Sequence, residues 1–193
     1  NRRGGGVVSA PGAPEGGHAA RSGAGDAPAA AHLRCATANV PTLRPGEHQQ
    51  GIGLAARLQS LEMQFNEADL HLVGIQEGRF KESQRYDGVS YQIFAVAADD
   101  AGSFGVQLWL HRCLRPDVRA VLPHSTRLLE VEARLHLAQG MVQRLVAFSA
   151  HAPHLAAPHD AKAGFWDLLT TAVNAAAARS PNAKIVVLLD ANA

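Results

Sequence analysis

The sequence has 193 residues, room for one domain of ordinary size and not comfortably for two. It is 47% hydrophobic, 18% charged and +1 in formal net charge, so it can bury a core and is no histone-like polycation. Any contact with nucleic acid has to come from a local patch.

Other class signals are negative. Apolar runs such as Ile185 to Leu189 are far short of the roughly 20 residues of a membrane span, and no secretory signal pattern follows Asn1. Two cysteines, Cys35 and Cys113, both in apolar strand-like runs, are too few for a disulfide framework or a four-thiolate zinc site. Buried free thiols suit a reducing, intracellular compartment, the nucleus included. Fifteen of the 18 basic residues are Arg, which reads as coding bias before chemistry.

In chain order, residues 1–31 carry eight of the 18 glycines, much Ala and Pro, and no aromatic. Such a stretch predicts a disordered leader, because it buries too little apolar area to offset its ordering entropy. The folded domain is expected over residues 32–193. Arg34 to Val40 reads as a strand running into a Pro/Gly turn at Pro41 to Gly46. Leu54, Leu58, Leu61 and Phe65 recur at helical spacing and predict a helix over Ile52 to Asn66. Leu70 to Gln76 reads as a buried strand, so that strand, helix and strand form a crossover unit within one sheet.

Tyr91 to Ala98 and Phe104 to His111 predict a hairpin about Asp99 to Ser103. Leu129, Val131, Ala133, Leu135 and Leu137 alternate with Glu130, Glu132, Arg134 and His136, the pattern of a half-exposed strand. A turn at Gln139-Gly140 leads into a strand over Val142 to His151. A second helix is expected over His159 to Arg179, with Phe165, Leu168, Leu169, Ala172 and Val173 inward and Pro181-Asn182 ending it. Lys184 to Leu189 reads as a fully buried strand. The sum is a mixed α/β layered domain, with sheets inside and helices outside.

Four strand ends carry polar residues: Asn39, Gln76-Glu77, His151, and Asp190 with Asn192. In layered α/β folds such positions hold side chains rigidly toward ligands, although a carboxylate just past a strand is also a common turn former. Together the residue types suit metal-assisted cleavage of a phosphate ester. A hard divalent cation takes one or two carboxylates, waters and the substrate phosphate. Glu77 supplies the anchor, and Asn39 a metal-bound water or a phosphate oxygen. His151 donates to phosphate or to a leaving alkoxide, while Asp190 and Asn192 orient water and stabilise charge on phosphorus.

The residues resemble the endonuclease/exonuclease/phosphatase superfamily, the deoxyribonuclease I-like proteins. Thr37-Ala38-Asn39-Val40-Pro41-Thr42-Leu43 is similar to the "WNVRTL" step of reverse-transcriptase-linked endonucleases, with Ala38 in the aromatic position. Ile75-Gln76-Glu77-Gly78-Arg79 resembles the "QE" metal-binding glutamate followed by a base. Ser125-Thr126-Arg127-Leu128 resembles the family's "s-x-R" segment. His151-Ala152-Pro153 resembles "Tyr/His-x-Pro", and Leu189-Asp190-Ala191-Asn192-Ala193 resembles "GDFN". The resemblance implies a layered α/β sandwich with mixed sheets and outer helices, incomplete at its C-terminus. It implies His151, Asp190 and Asn192 as catalytic, Glu77 and Asn39 as metal-binding, and Arg79 and Arg127 as phosphate contacts. The implied cofactor is Mg2+ or Mn2+, and the implied partner DNA, held through its phosphate backbone, with no membrane involved.

The family continues beyond "GDFN" to an Asp-His pair that polarises the attacking water. The sequence, which starts without Met and stops at Ala193, is therefore expected to be a fragment with trace activity at most. A phospholipid or inositol phosphate phosphoesterase of the same superfamily, and a non-catalytic gene remnant, are the competing readings. His151, His154, His159 and Asp160 do not match a standard zinc finger. His71, His111 and His136 read as rim residues, Trp109 and Trp166 as core or interface filler, and Arg85, Arg112, Arg115 and Arg119 as solvated charges.

Overall fold

The computed structural model describes residues 32–40, 54–137 and 140–192. The expected leader and the Pro41–Gly46 turn lie outside them. In chain order the elements are β1 (Cys35–Asn39), α1 (Leu54–Glu67), β2 (Leu72–Gln76), β3 (Gln84–Asp87), β4 (Tyr91–Ala95) and β5 (Gln107–His111). A one-turn helix (Arg112–Leu114) follows, then β6 (Asp117–Ser125), β7 (Leu128–His136), β8 (Val142–His151), α2 (His159–Arg179) and β9 (Lys184–Asp190). The strands form two sheets, ordered β1-β2-β5-β4-β3 and β6-β7-β8-β9. Each sheet holds one parallel pair, β1 with β2 and β8 with β9, and in each the sequence between the paired strands supplies a helix, α1 or α2. No helix among the described residues is long and apolar enough to cross a membrane.

Strand alternation builds the layers. Leu72, Phe94, Val106, Leu108 and Leu110 of the first sheet meet Leu129, Val131, Ala133, Leu135, Leu145, Ala147 and Leu188 of the second. On the first sheet's outer face Val73, Ile75, Tyr91, Ile93 and Trp109 receive Leu58, Leu61 and Phe65 of α1. Leu128, Val146, Phe148 and Ala150 of the second sheet receive Phe165, Leu169, Ala172 and Ala176 of α2. This is the expected layered sandwich, helix outside sheet on both flanks.

Several expectations are corrected. β7 alternates as expected at Arg134 and His136, which are exposed, but not at Glu130, which is 1% exposed because the end of α2 lies over that part of the face. Arg179 and His124 both reach the Glu130 carboxylate, and Ser180 Oγ donates to Glu132 at 2.8 Å. Buried carboxylates are tolerated when paired in this way. β9 is not fully buried, since it is an edge strand among the described residues and Val187 is exposed. Both cysteines are exposed: Cys35 faces outward on the edge strand β1, and Cys113 lies in the one-turn helix, not in a strand. Trp109 is in the core, whereas Trp166 is 43% exposed on α2. β3 and β6 were not expected at all.

Two places test how the layers are held. Gly74 of β2 faces β9, where a Cβ would stand 2.6 Å from Leu188 Cβ and 3.2 Å from Ser149 Oγ. Gly74→Ala is therefore expected to lower stability by about 1–3 kcal/mol through overpacking, read as a lower urea midpoint with an unchanged m-value. At the opposite end of the sheet, His111 Nδ1 accepts from Cys113 N at 3.1 Å, and Nε2 lies 2.9 Å from Asn66 Oδ1. Burial, and then the neighbouring His71, hold its imidazole below the ordinary range, so it folds neutral. Stability from this group is present above the unfolded value of about 6.5 and is lost as pH falls from there toward the folded pKa, because the unfolded chain then binds more protons. His111→Gln should flatten that acid-side loss, measured by urea midpoints across the window.

Candidate active site

The two parallel pairs end at the same side of the sandwich. Asn39 is in register with Gln76 across β1 and β2, and His151 with Asp190 across β8 and β9. A polar link crosses between the sheets just below. Thr37 Oγ1 donates to Gln76 Oε1 at 2.9 Å, Gln76 Nε2 to Ser149 Oγ at 3.5 Å, and Ser149 Oγ to the Ile75 carbonyl at 3.5 Å.

Above this link the expected side chains meet. Asn39 Nδ2 donates to Asp190 Oδ2 at 3.1 Å and lies 3.5 Å from Glu77 Oε1. His151 Nε2 is 3.9 Å from Glu77 Oε1 and 4.0 Å from Asp190 Oδ2. Arg79 Nη2 pairs with the other Glu77 oxygen at 3.0 Å. Asn192 uses its amide differently, donating Nδ2 to the Ala152 carbonyl at 2.6 Å, while its backbone N–H donates to Asp190 Oδ1 at 3.1 Å. It ties the loop after β9 to the loop after β8.

The backbone around these residues is strained. Six non-glycine residues among those described have positive φ, and four of them are here: Glu77, Arg79, Phe104 and Asn192. Each such conformation costs on the order of 1–2 kcal/mol. Backbone bonds hold them: Gly78 N to the Gly105 carbonyl at 2.9 Å, Arg79 N to Phe104 O at 3.0 Å, and Gly105 N to Thr126 O at 3.0 Å. A Cβ at Gly78 would stand 2.4 Å from Gln107 Nε2, so a larger residue there would have to displace that side chain.

Arg127 is turned inward. Its Nη1 donates to the carbonyls of His151 and Ala152 at 3.2 and 3.1 Å, and its Cζ sits 3.5 Å over the Phe104 ring. His151 is 4% exposed. Burial pushes its imidazole below the ordinary range and Arg127 pushes the same way, while Asp190 and Glu77 oppose without reversing the direction. The histidine is thus neutral near pH 7 and offers a neutral N–H or a lone pair, not a cation.

Phe104 is not anticipated as a site residue: it is expected to open the strand to His111, but β5 starts at Gln107 and Phe104 lies in the loop before it at positive φ. His154, His159 and Asp160 stay apart from the cluster, exposed on the surface. Among the described residues no group of three or more His, Cys, Asp or Glu is arranged to hold a metal ion. The donor set at the cluster is two carboxylates and an amide. That set fits a hard cation keeping most of its waters, and no Lys or Arg among the described residues pairs with Asp190.

No family model matches the sequence, and no curated protein matches it. Solved structures do. The catalytic domain of Xenopus laevis APE2 superposes with a TM-score of 0.52 at 14% identity, over 69% of this chain and 53% of that one. TDP2 from C. elegans gives 0.46 at 12% identity, over 72% and 43%. The chain thus spans about half the length of the APE2 domain. The APE2 likeness is to a deoxyribonuclease I-like fold, that of the endonuclease/exonuclease/phosphatase superfamily, and this chain has that fold.

Asn39 supplies an N–H within reach of both carboxylates. Asn39→Ala should lower stability in EDTA by about 1 kcal/mol, and millimolar Mg2+ should recover part of the loss in the same urea titration, since a cation replaces the missing donor.

Proposed function

We propose that this chain carries the cation-binding side of a divalent-metal-dependent phosphodiesterase centre acting on DNA, of the type linked to reverse transcriptases in retrotransposons. The observation that supports this reading is the meeting of Asn39, Glu77, His151 and Asp190 from four strand ends within hydrogen-bond or near-contact distance. The "NVPTL" step at Asn39 favours the retrotransposon type.

Glu77 and Asp190, with Asn39 beside them, would hold Mg2+ or Mn2+. Such a cation supplies Lewis-acid stabilisation of charge on a phosphoryl oxygen. Neutral His151 donates from Nε2 to a phosphate oxygen, and its burial keeps water off that hydrogen bond. Arg79 holds one Glu77 oxygen, which leaves the other directed at Asn39 and His151. Asn192 keeps the Asp190 loop closed on Ala152. The described cluster contains one histidine and no separate His–Asp pair to activate water. The 193-residue polypeptide alone is therefore expected to show trace turnover.

Three measurements test the reading together. Mn2+ should raise the melting temperature of the chain, and Glu77→Gln or Asp190→Asn should remove that rise. Binding to duplex DNA should weaken steeply with salt, with a log–log slope of about −0.9 per phosphate contacted. Nicking of supercoiled plasmid in Mg2+ should stay at trace level. Absence of any cation effect, or binding to phosphoinositide vesicles in place of DNA, overturns the DNA phosphodiesterase assignment. Fast nicking overturns only the need for a further His–Asp pair.

A further inference from the structure

Phe104 joins three segments of the site. It lies between β4 and β5 at φ 67, and its carbonyl accepts from Arg79 N at 3.0 Å. The next residue, Gly105, accepts from Gly78 N at 2.9 Å and donates to Thr126 O at 3.0 Å. The Glu77 loop and the β6–β7 turn are thus bonded to one short stretch of backbone. A left-handed backbone is unfavourable for an aromatic residue, so its surroundings must hold it there.

The ring meets two partners. The Arg127 guanidinium lies 3.5 Å over its centroid, and the His151 imidazole stands edge-on, 6.0 Å between centroids at 65°. Arg127 in turn bonds the His151 and Ala152 carbonyls, and His151 N donates to the Arg127 carbonyl at 2.9 Å. A buried site histidine is ordinarily oriented by a hydrogen bond at its second ring nitrogen. His151 Nδ1 is buried and has no such partner among the described residues. The imidazole's rotation therefore has to be set by packing and by the backbone that carries it.

We propose that Phe104 is a positioning residue for His151 and acts through Arg127. Its ring holds the guanidinium flat, and the guanidinium fixes the His151–Ala152 backbone so that Nε2 faces Glu77 and Asp190. The importance of this arrangement rests on His151 belonging to the reacting centre, whereas the arrangement itself does not.

The test uses the 193-residue chain with 13C-labelled histidine in EDTA, observed by two-dimensional NMR, with the His151 peaks assigned by their loss in His151→Gln. Phe104→Leu, and Phe104→Gly, which accepts the positive φ without strain, should shift or broaden the His151 peaks and leave those of His71 and His111 in place. Phe104→Tyr should restore them. Arg127→Met should also move them, and Phe104→Leu made in that background should add little, the non-additivity of residues acting in one chain of contacts. Unmoved peaks in Phe104→Leu overturn the proposal. So does a change of equal size with and without Arg127, which reports only the lost ring current. Collapse of all histidine peaks in both the Leu and Gly variants assigns Phe104 to general packing and overturns it too. No turnover is read, so failure of the phosphodiesterase reading leaves this outcome separate.

Discussion

The closeness of the two sheets at Gly74 and Leu188 governs the geometry of the site. With no side chain at residue 74, β2 comes against β9 at a point where any Cβ would collide with the Leu188 Cβ. Two residues further along each strand, on the same faces, stand Gln76 and Asp190. Gln76 reaches across to Ser149, and Asp190 reaches Asn39. Sheets usually pack about 10 Å apart, too far for short polar side chains to meet across the gap. A local close approach allows an amide on one sheet to bond a carboxylate on the other. The site is an outcome of sheet packing as much as of the residues that line it.

A second constraint is the strain gathered in the loops. The positive φ values at Glu77, Arg79, Phe104 and Asn192 would be unfavourable if each loop stood alone. They persist because the loops bond to one another, Gly78 and Arg79 to Gly105 and Phe104, and Gly105 to Thr126. Strain of this sort clusters where side chains must be aimed against local preference. Here it directs the Glu77 carboxylate back over the strand end toward Asn39 and His151, away from the solvent that a relaxed turn would face.

Much of the layering was legible in the sequence because its signals are local. α2 runs from His159 to Arg179, bounded by Pro158 and Pro181, with its apolar stripe at helical spacing. The strand ends at Asn39, His151 and Asp190 also lie where expected. What escaped depends on tertiary context. β3 is four polar residues, Gln84 to Asp87, and is a strand only because β4 pairs with it. β6 carries Pro123 in its interior, acceptable because it is an edge strand. The polar face of β7 reads as exposed along its whole length, which holds at Arg134 and His136 but not at Glu130, because nothing local shows that Arg179 arrives from α2 to pair with Glu130 and Glu132. β9 read as fully buried because an apolar run does not reveal whether a strand is central or at an edge. Phe104 was invisible as a site residue for the same reason: its role lies in which arginine and which histidine its ring touches.

The charges of the cluster form an unequal arrangement. Glu77 and Asp190 face one amide N–H and one imidazole, and among the described residues only Glu77 has an arginine, Arg79. Arg127, near enough to act on His151 electrostatically, directs its Nη1 at main-chain carbonyls and forms no ion pair with either carboxylate. Its field, added to burial, keeps His151 neutral, so the histidine does not neutralise them either. A structure that needed only internal balance could have turned Arg127 toward Asp190 or left His151 protonated between the two acids. It does neither, and the remaining negative charge is concentrated on oxygen atoms at the mouth of two parallel strand pairs. Hard oxygen donors with unspent charge at a rigid site are what a hydrated divalent cation requires, and the proposed function follows from that imbalance more directly than from any single residue.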